Sequence, residues 1–499
     1  MYKRGSGLLL HVSSLPSRYG VGDLGAEAYL FVDFLAAAGQ TYWQILPLNP
    51  TGTYLGNSPY TSYSVFAGNA LFISPDTLKE YGLLSQADLE TAPEFSADRV
   101  DYKAVVNWKA KIFRRAFHHA EAKLEGDSSF ATFCETNANW LEDFSLYAAL
   151  KDQFHESAWY EWPEPVRDRE ERGLEEWREK LHKRMLRSKF LQYVFFNQWQ
   201  NLRNYANQKK VKIIGDIPIY PSLDSADAWS QPELFKLDAQ KRPIFVAGAP
   251  PDYFSETGQR WGNPVYDWDQ LKETRYEWWV KRMRHNLQLC DVLRLDHFRG
   301  LVAYWEIPAE EETAVKGKWV TVPCRELFTT LRENLSSLPL ILEDLGHITS
   351  DVKEVMKELG YPGMKVLAFA FGSDLPTNPY APHNYIQNCV VYTGTHDNNT
   401  TRGWFEQDAS EEDKERLQKY IGRTLDASSV SWEMIRLAHS SVANISILPL
   451  QDVLGLDSTS RMNHPSQSAG NWAWRAPATE LNDATARKLK DISRLYNRT

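Results

Sequence analysis

The chain has 499 residues and a formal net charge of −9. That length holds a sizeable core and fits a single large barrel as readily as two or three domains. The acidic balance argues against a nucleic-acid or anionic-membrane partner, since either needs a basic face.

An aromatic share of 13%, with 18 Trp and 24 Tyr, suits stacking on apolar ligand faces while polar tips bond hydroxyls, a combination that sugar-binding proteins use. Core and helix-packing anchors account for most of these residues in any globular chain. Cys134, Cys290, Cys324 and Cys389 lie far apart with no CxxC pair, so they read as reduced structural residues and not as a zinc cluster. The start MYKRGSGLLLHVSSLPS is basic, but its apolar run is too short for a signal peptide. No stretch approaches the ~18 apolar residues of a membrane span. A soluble cytoplasmic protein is expected, with a monomer as the default.

Short β-rich runs recur along the chain. GLLLHVSSL (7–15) precedes the helix-like AEAYLFVDFLAAAG, for which Gly39 is the stop. TYWQILPL (41–48) is the second run. A long helical stretch around RSKFLQYVFFNQWQNLRNYANQ leads into VKIIGDIPI (211–219), and EWWVKRMRHNLQLC leads into DVLRLDHF (291–298). LPLILEDL (338–345), MKVLAFAF (364–371), CVVYTGTHD (389–397) and NISILPL (444–450) complete the series. Continuous Val/Ile/Leu runs alternating with helices indicate parallel strands covered on their outer faces. Eight such units predict an α/β fold, a (β/α)8 barrel formed by the whole chain, 1–499. Residues 50–185, largely helical and charged, read as an inserted subdomain after the second strand. Residues 220–270, rich in Pro, Gly, Asp and Trp, read as elaborate loops after the third.

Barrel enzymes keep their chemistry at the C-terminal ends of the strands. Here those ends carry His11, Asp216, Asp296 with His297, Glu343 with Asp344, and His396 with Asp397. A single Asp at a strand end is explained by a salt bridge or a helix cap. Four strands ending in carboxylates are not, because each buried carboxylate costs several kcal/mol unless paired or protonated. Strand alternation puts Arg294 and Asp296 on one face, where the guanidinium would keep Asp296 ionised and fit to attack. Glu343 on the next strand could carry a proton if its surroundings raise its pKa. Such a pair serves glycosidic chemistry. The same residue types leave two alternatives open: a metal-dependent barrel hydrolase using His11, Asp296, His297, His396 and Asp397, and a binding protein on a barrel scaffold.

Longer motifs then carry a resemblance. GLLLHVSSLPSRYGVGDLG, QILPLNPTG with NSPYTSYSVFAGN, IGDIPIYPSLDSADAW, APPDYFSETGQRWGNPVYDW, LRLDHFRG, ILEDLG, YTGTHDNNT and NHPSQSAGNWAWR together make the chain resemble, end to end, the amylomaltases or disproportionating enzymes. These are 4-α-glucanotransferases related to the α-amylase superfamily. The resemblance implies Asp296 as nucleophile, Glu343 as general acid and base, and Asp397 as the third carboxylate that stabilises the transition state. Arg294 and His396 match the pair flanking the reacting sugar. Asp216, His297 and Asp344 match supporting positions. Ser58 and Tyr60 match the donor side, and Asp252, Tyr253, Phe254 and Trp261 belong to a loop (249–268) that overhangs the site and holds an acceptor. Tyr54 matches a residue at a remote glucan groove, although PTGTYLGNSPY is one residue longer than in some relatives.

The implied reaction transfers α-1,4-glucan segments from a donor to an acceptor oligosaccharide by a retaining double displacement. It needs the two catalytic carboxyls ~5–5.5 Å apart and no metal or organic cofactor. An amylase-type retaining hydrolase is the nearest alternative.

Overall fold

The structure, a computed structural model, describes residues 2–499 apart from 53–55, 252–254, 347, 466 and 468. Eight short runs of mostly buried residues form parallel strands: β1 (Gly5–Leu9), β2 (Tyr42–Gln44), β3 (Lys212–Ile217), β4 (Val292–Leu295), β5 (Leu340–Leu342), β6 (Gly363–Val366), β7 (Cys389–Tyr392) and β8 (Ile445–Pro449). They are bonded in the order β6-β7-β8-β1-β2-β3-β4-β5, so sequence neighbours are sheet neighbours. The two ends of the sheet meet where the Leu342 amide donates to the Pro362 carbonyl at 2.9 Å. The result is the nearly closed barrel that eight β/α repeats predict.

Each expected run overlaps one of these strands, but the strands are shorter than the runs. The run 364–371 is extended only to Val366, after which Leu367–Phe369 is a 3-10 turn. The run 7–15 leaves the sheet at Leu9, and Val12–Ser14 turns as a buried 3-10 segment. Apolar character reports burial, and a turn packed under the barrel mouth is as buried as a strand.

Helices cover the outside of the barrel. Ala26–Ala37 links β1 to β2, Glu277–Leu289 precedes β4, Cys324–Asn334 precedes β5 and Ser350–Leu359 precedes β6. Between β2 and β3 the chain is helical, with Tyr102–Leu124, Ser128–Thr136, Ala138–Gln153 and the 38-residue Glu171–Gln208. That last helix runs without a break through position 185, because Leu174, Leu181, Met185 and Phe195 recur on its buried side. One continuous apolar core joins these helices to the barrel strands.

The loops expected over 220–270 contain two strands, Phe245–Ala249 and Gln259–Pro264. They pair antiparallel with each other, and the first pairs with Ala303–Pro308, which in turn pairs with Lys318–Thr321. This four-stranded sheet stands beside the C-terminal mouth of the barrel. It escaped the sequence reading because its edges are polar: Gln259, Arg260, Lys318 and Thr321 are exposed, and backbone pairing needs no apolar run.

Candidate active site at the barrel mouth

The site starts from alternation in β4. Leu293 points outward beside Gly215 of β3, so Arg294 points inward, and Asp296 follows on the same side. In register, Asp216 of β3 and Ile341 of β5 flank Arg294. The guanidinium bonds Asp216 at 2.8 and 2.7 Å through Nη1 and pairs with Asp296 Oδ1 at 2.8 Å through Nη2. Tyr60 donates its hydroxyl to Asp216 Oδ2 at 2.7 Å. Arg294 and Asp216 are buried, 3% and 4% exposed. They lie beneath the cleft and do not line it.

With Tyr60, Asp296 is a member of this chain that reaches the cleft. Its amide donates to the Ile217 carbonyl of β3, which ends β4 at that point. His297 then takes a left-handed backbone, φ 48°, and turns the chain into the Phe298–Leu301 helical turn. The His297 ring meets Trp261 edge-on at 4.7 Å. Burial lowers its pKa to about 4, the nearby Asp296 charge opposing that shift, so it is neutral at physiological pH.

Glu343 leaves β5 on the inner side, as Ile341 does. Its carboxylate accepts from the His297 amide at 2.8 Å and from the Leu345 amide at 2.6 Å. Burial, and then the charge of Asp296, push its pKa up to about 8 against the pull of Arg294. Asp344, one residue on, points outward and accepts from the Met364 amide of β6 at 2.6 Å. It takes no part in lining the cleft.

After β7, Asn398 Oδ1 accepts from the Thr395 amide at 2.8 Å and closes a tight turn that presents His396 and Asp397. Partial burial would raise the Asp397 pKa, but His396 at 3.3 Å and an Asn463 amide donor at 2.6 Å bring it well below the usual carboxylate range. The same contact raises the His396 pKa despite its burial. Tyr60 stacks on the His396 ring at 5.0 Å.

These side chains share one cleft of about 750 Å³, whose walls include Ser58, Tyr60, Trp261, His297 and His396, with Asp296, Glu343 and Asp397 at its floor and side. Tyr54, Asp252, Tyr253 and Phe254 lie outside the described residues. Among the described residues, no three His, Cys, Asp or Glu side chains are arranged to hold a metal ion. His11, needed by the metal alternative, is buried with its ring edge against Phe72.

A family model for 4-alpha-glucanotransferase matches residues 10–480. The chain belongs to the 4-alpha-glucanotransferases.

Two curated 4-alpha-glucanotransferases are similar to it over their full lengths. The enzyme of Synechocystis sp. is 48% identical over 501 residues, covering 99% of this chain and 98% of that one. The enzyme of Clostridium butyricum is 47% identical over 492 residues, covering 98% and 100%. Among solved structures, the amylomaltase from Streptococcus agalactiae in complex with acarbose superposes with a TM-score of 0.96 at 39% identity, covering 99% of this chain and all of that one. This 4-alpha-glucanotransferase is therefore a glycosyl-transferring enzyme that acts on α-1,4-glucans, and the hydrolase, metal-hydrolase and binding-protein alternatives give way to that reading. No helix among the described residues is long and apolar enough to cross a membrane.

Sequence reading gave no role to the loop after β8, which supplies Asn463, Asn471 and Trp472 to the cleft. Asn463 bonds Asp397, and Trp472 approaches both Tyr60 and His396, 5.9 Å between ring centroids in each case. The available signal was positional, because this loop follows the C-terminal end of a barrel strand and carries amides and an indole in NHPSQSAGNWAWR.

Proposed function

We propose that this 4-alpha-glucanotransferase works by double displacement with Asp296 as nucleophile and Glu343 as the proton carrier. One observation carries the proposal: a carboxylate ion-paired to a buried arginine and a second carboxyl with its pKa pushed up to about 8 open onto the same cleft. A carboxylate and a carboxylic acid at one linkage are the two groups that glycosidic bond exchange requires.

With Oδ1 held by Arg294, Asp296 Oδ2 attacks the anomeric carbon of the donor glucan. The bond to the departing chain's oxygen breaks, and that oxygen takes the proton of Glu343. The glycosyl ester leaves Asp296 uncharged, so of the two causes that raised the Glu343 pKa, burial and that charge, the second is gone, and Glu343, now without its proton, becomes the base. It accepts the proton of an acceptor 4-hydroxyl, whose oxygen displaces Asp296 with net retention. Asp397, kept ionised by His396 and Asn463, binds sugar hydroxyls and favours the positive charge that develops on the sugar ring.

Ser58, Tyr60 and His396 are assigned to the donor side. The acceptor is assigned to the loop 249–268 with Asp252, Tyr253, Phe254 and Trp261, where a bound glucan occupies the position water would otherwise take. The whole chain, 1–499, is proposed as one catalytic unit, with the helical segment 50–185 and the segment 220–270 as its insertions. Four unpaired cysteines favour a reducing compartment such as the cytoplasm.

Incubation with maltotriose tests the reaction. Glucose plus oligosaccharides longer than maltotriose is the expected outcome. Glucose and maltose alone would make the protein a hydrolase.

A further inference from the structure

The helix Glu171–Gln208 carries Tyr193, Asn197, Asn201 and Tyr205 at intervals of four residues. Such a series stays on one helix face, and twelve residues advance about 18 Å. That face looks outward, with Asn197 and Asn201 exposed and both tyrosines half-buried. Its first three members line a groove of about 350 Å³, whose opposite bank includes Tyr81 and Lys123. Tyr81 is 50% exposed, so its ring is open to the groove. Beyond the groove the aromatic track continues, with the Tyr29 ring 5.0 Å from that of Tyr205.

Two features make this more than a patch of surface. Tyr193 is a fixed platform, its ring packed against Phe130 and Phe133 at 5.5 and 5.6 Å. Next to the stripe, Gln200 and Asn204 have the same four-residue spacing and bond each other at 2.8 Å. Asn197 and Asn201 make no such bond and, like the hydroxyls of Tyr81 and Tyr193, have no hydrogen-bond partner among the described residues. The lining is near neutral, Lys123 being offset by Asp127. Flat rings with free hydroxyls, paired free amides and little net charge match an uncharged polyol chain: the rings take its C–H faces and the amides its hydroxyls.

We propose that this groove is an α-glucan binding site on the outer helical layer, apart from both the cleft and the remote groove that the resemblance assigns to Tyr54, and that it holds the polymer there. It shares no residue with the cleft at the barrel mouth. The identity of the ligand rests on the glucan-transfer reading above. A chain anchored here stays on the enzyme between turnovers, which raises its effective concentration at the cleft. Short oligosaccharides gain nothing from it.

The test uses the full-length enzyme in native gels with and without amylopectin, beside maltotriose kinetics. Tyr81→Ala and the double variant Asn197→Ala/Asn201→Ala truncate exposed side chains, so an unchanged thermal midpoint verifies their fold. Both are expected to weaken amylopectin retardation about tenfold, the effect of ~1.4 kcal/mol, and to leave kcat/KM on maltotriose unchanged. Retardation equal to wild type overturns the groove, as does an equal loss on maltotriose. A change in oligomeric state with unchanged retardation also overturns it and makes the groove an interface between copies. Wild-type enzyme that is retarded normally but makes no longer products from maltotriose overturns the catalytic reading and leaves the groove standing.

Discussion

Arg294 is a buried cation between two carboxylates, and its position was legible because alternation in a strand fixes which side chains share a face. What it does was less legible. It lies beneath the cleft wall and ties Asp216 to Asp296. Replacing it by alanine leaves Asp216 buried without its counter-charge. Arg294→Ala should therefore lower stability by about 3–5 kcal/mol, read from urea unfolding, and stop transfer as well. Asp296→Asn and Glu343→Gln should each cut kcat by at least about 10²-fold with circular dichroism unchanged. Near-normal activity in either would remove that residue from the mechanism. Glu343 must start protonated to serve the leaving oxygen. Its carboxyl loses that proton as pH rises through about 8, so kcat/KM should decline on the alkaline side of that value. A profile flat to pH 10 would contradict the assignment. Asp397, held well below the usual carboxylate range, does not produce this limb.

At the scale of elements, one glycine shows how a strand is seated. Gly215 lies in β3 next to Asp216, and a Cβ there would stand 2.4 Å from Cys290 Sγ, just after the helix Glu277–Leu289. The bare backbone lets that junction pack directly against the strand that holds Asp216. Gly215→Val should cost about 1–3 kcal/mol by overpacking, seen as a lower thermal midpoint. An unchanged midpoint would mean that Cys290 moves freely. The barrel strands were readable because both of their faces are covered and their sequences are correspondingly apolar. The side sheet was not: in Gln259–Pro264 a glycine at φ 82° and a proline interrupt a mostly polar run, and what defines that strand is the carbonyls and amides of Phe245–Ala249.

The whole molecule is clasped at the barrel face opposite the cleft. Arg498 is fully buried and donates to the carbonyls of His439 at 2.7 Å, Ala443 at 3.0 Å and Gly5 at 3.1 Å. Arg4 joins it on the Ala443 and His439 carbonyls and also holds Tyr496. Two residues 494 positions apart in the chain thus knot β1, the segment leading into β8 and the helix Val430–Ser440 together. Charge-assisted bonds of this kind are worth about 1.5–3 kcal/mol each. Arg498→Met should lower stability by about 3 kcal/mol in urea melts, with the specific activity of the folded fraction kept, because the cleft lies at the other end of the barrel. Loss of activity without loss of stability would show that the clasp reaches the cleft.

The sequence by itself determined the barrel, the strand ends that hold the carboxylates, and the family, since apolar periodicity and long motifs are local properties of the chain. Only the tertiary structure decided that Asp344 turns outward while Glu343 turns in. It also decided that Arg294 serves Asp216 as much as Asp296, and that a loop 66 residues beyond Asp397 supplies its amide partner. These depend on which backbone groups and charges meet across tens of residues, and no spacing along the chain encodes that meeting.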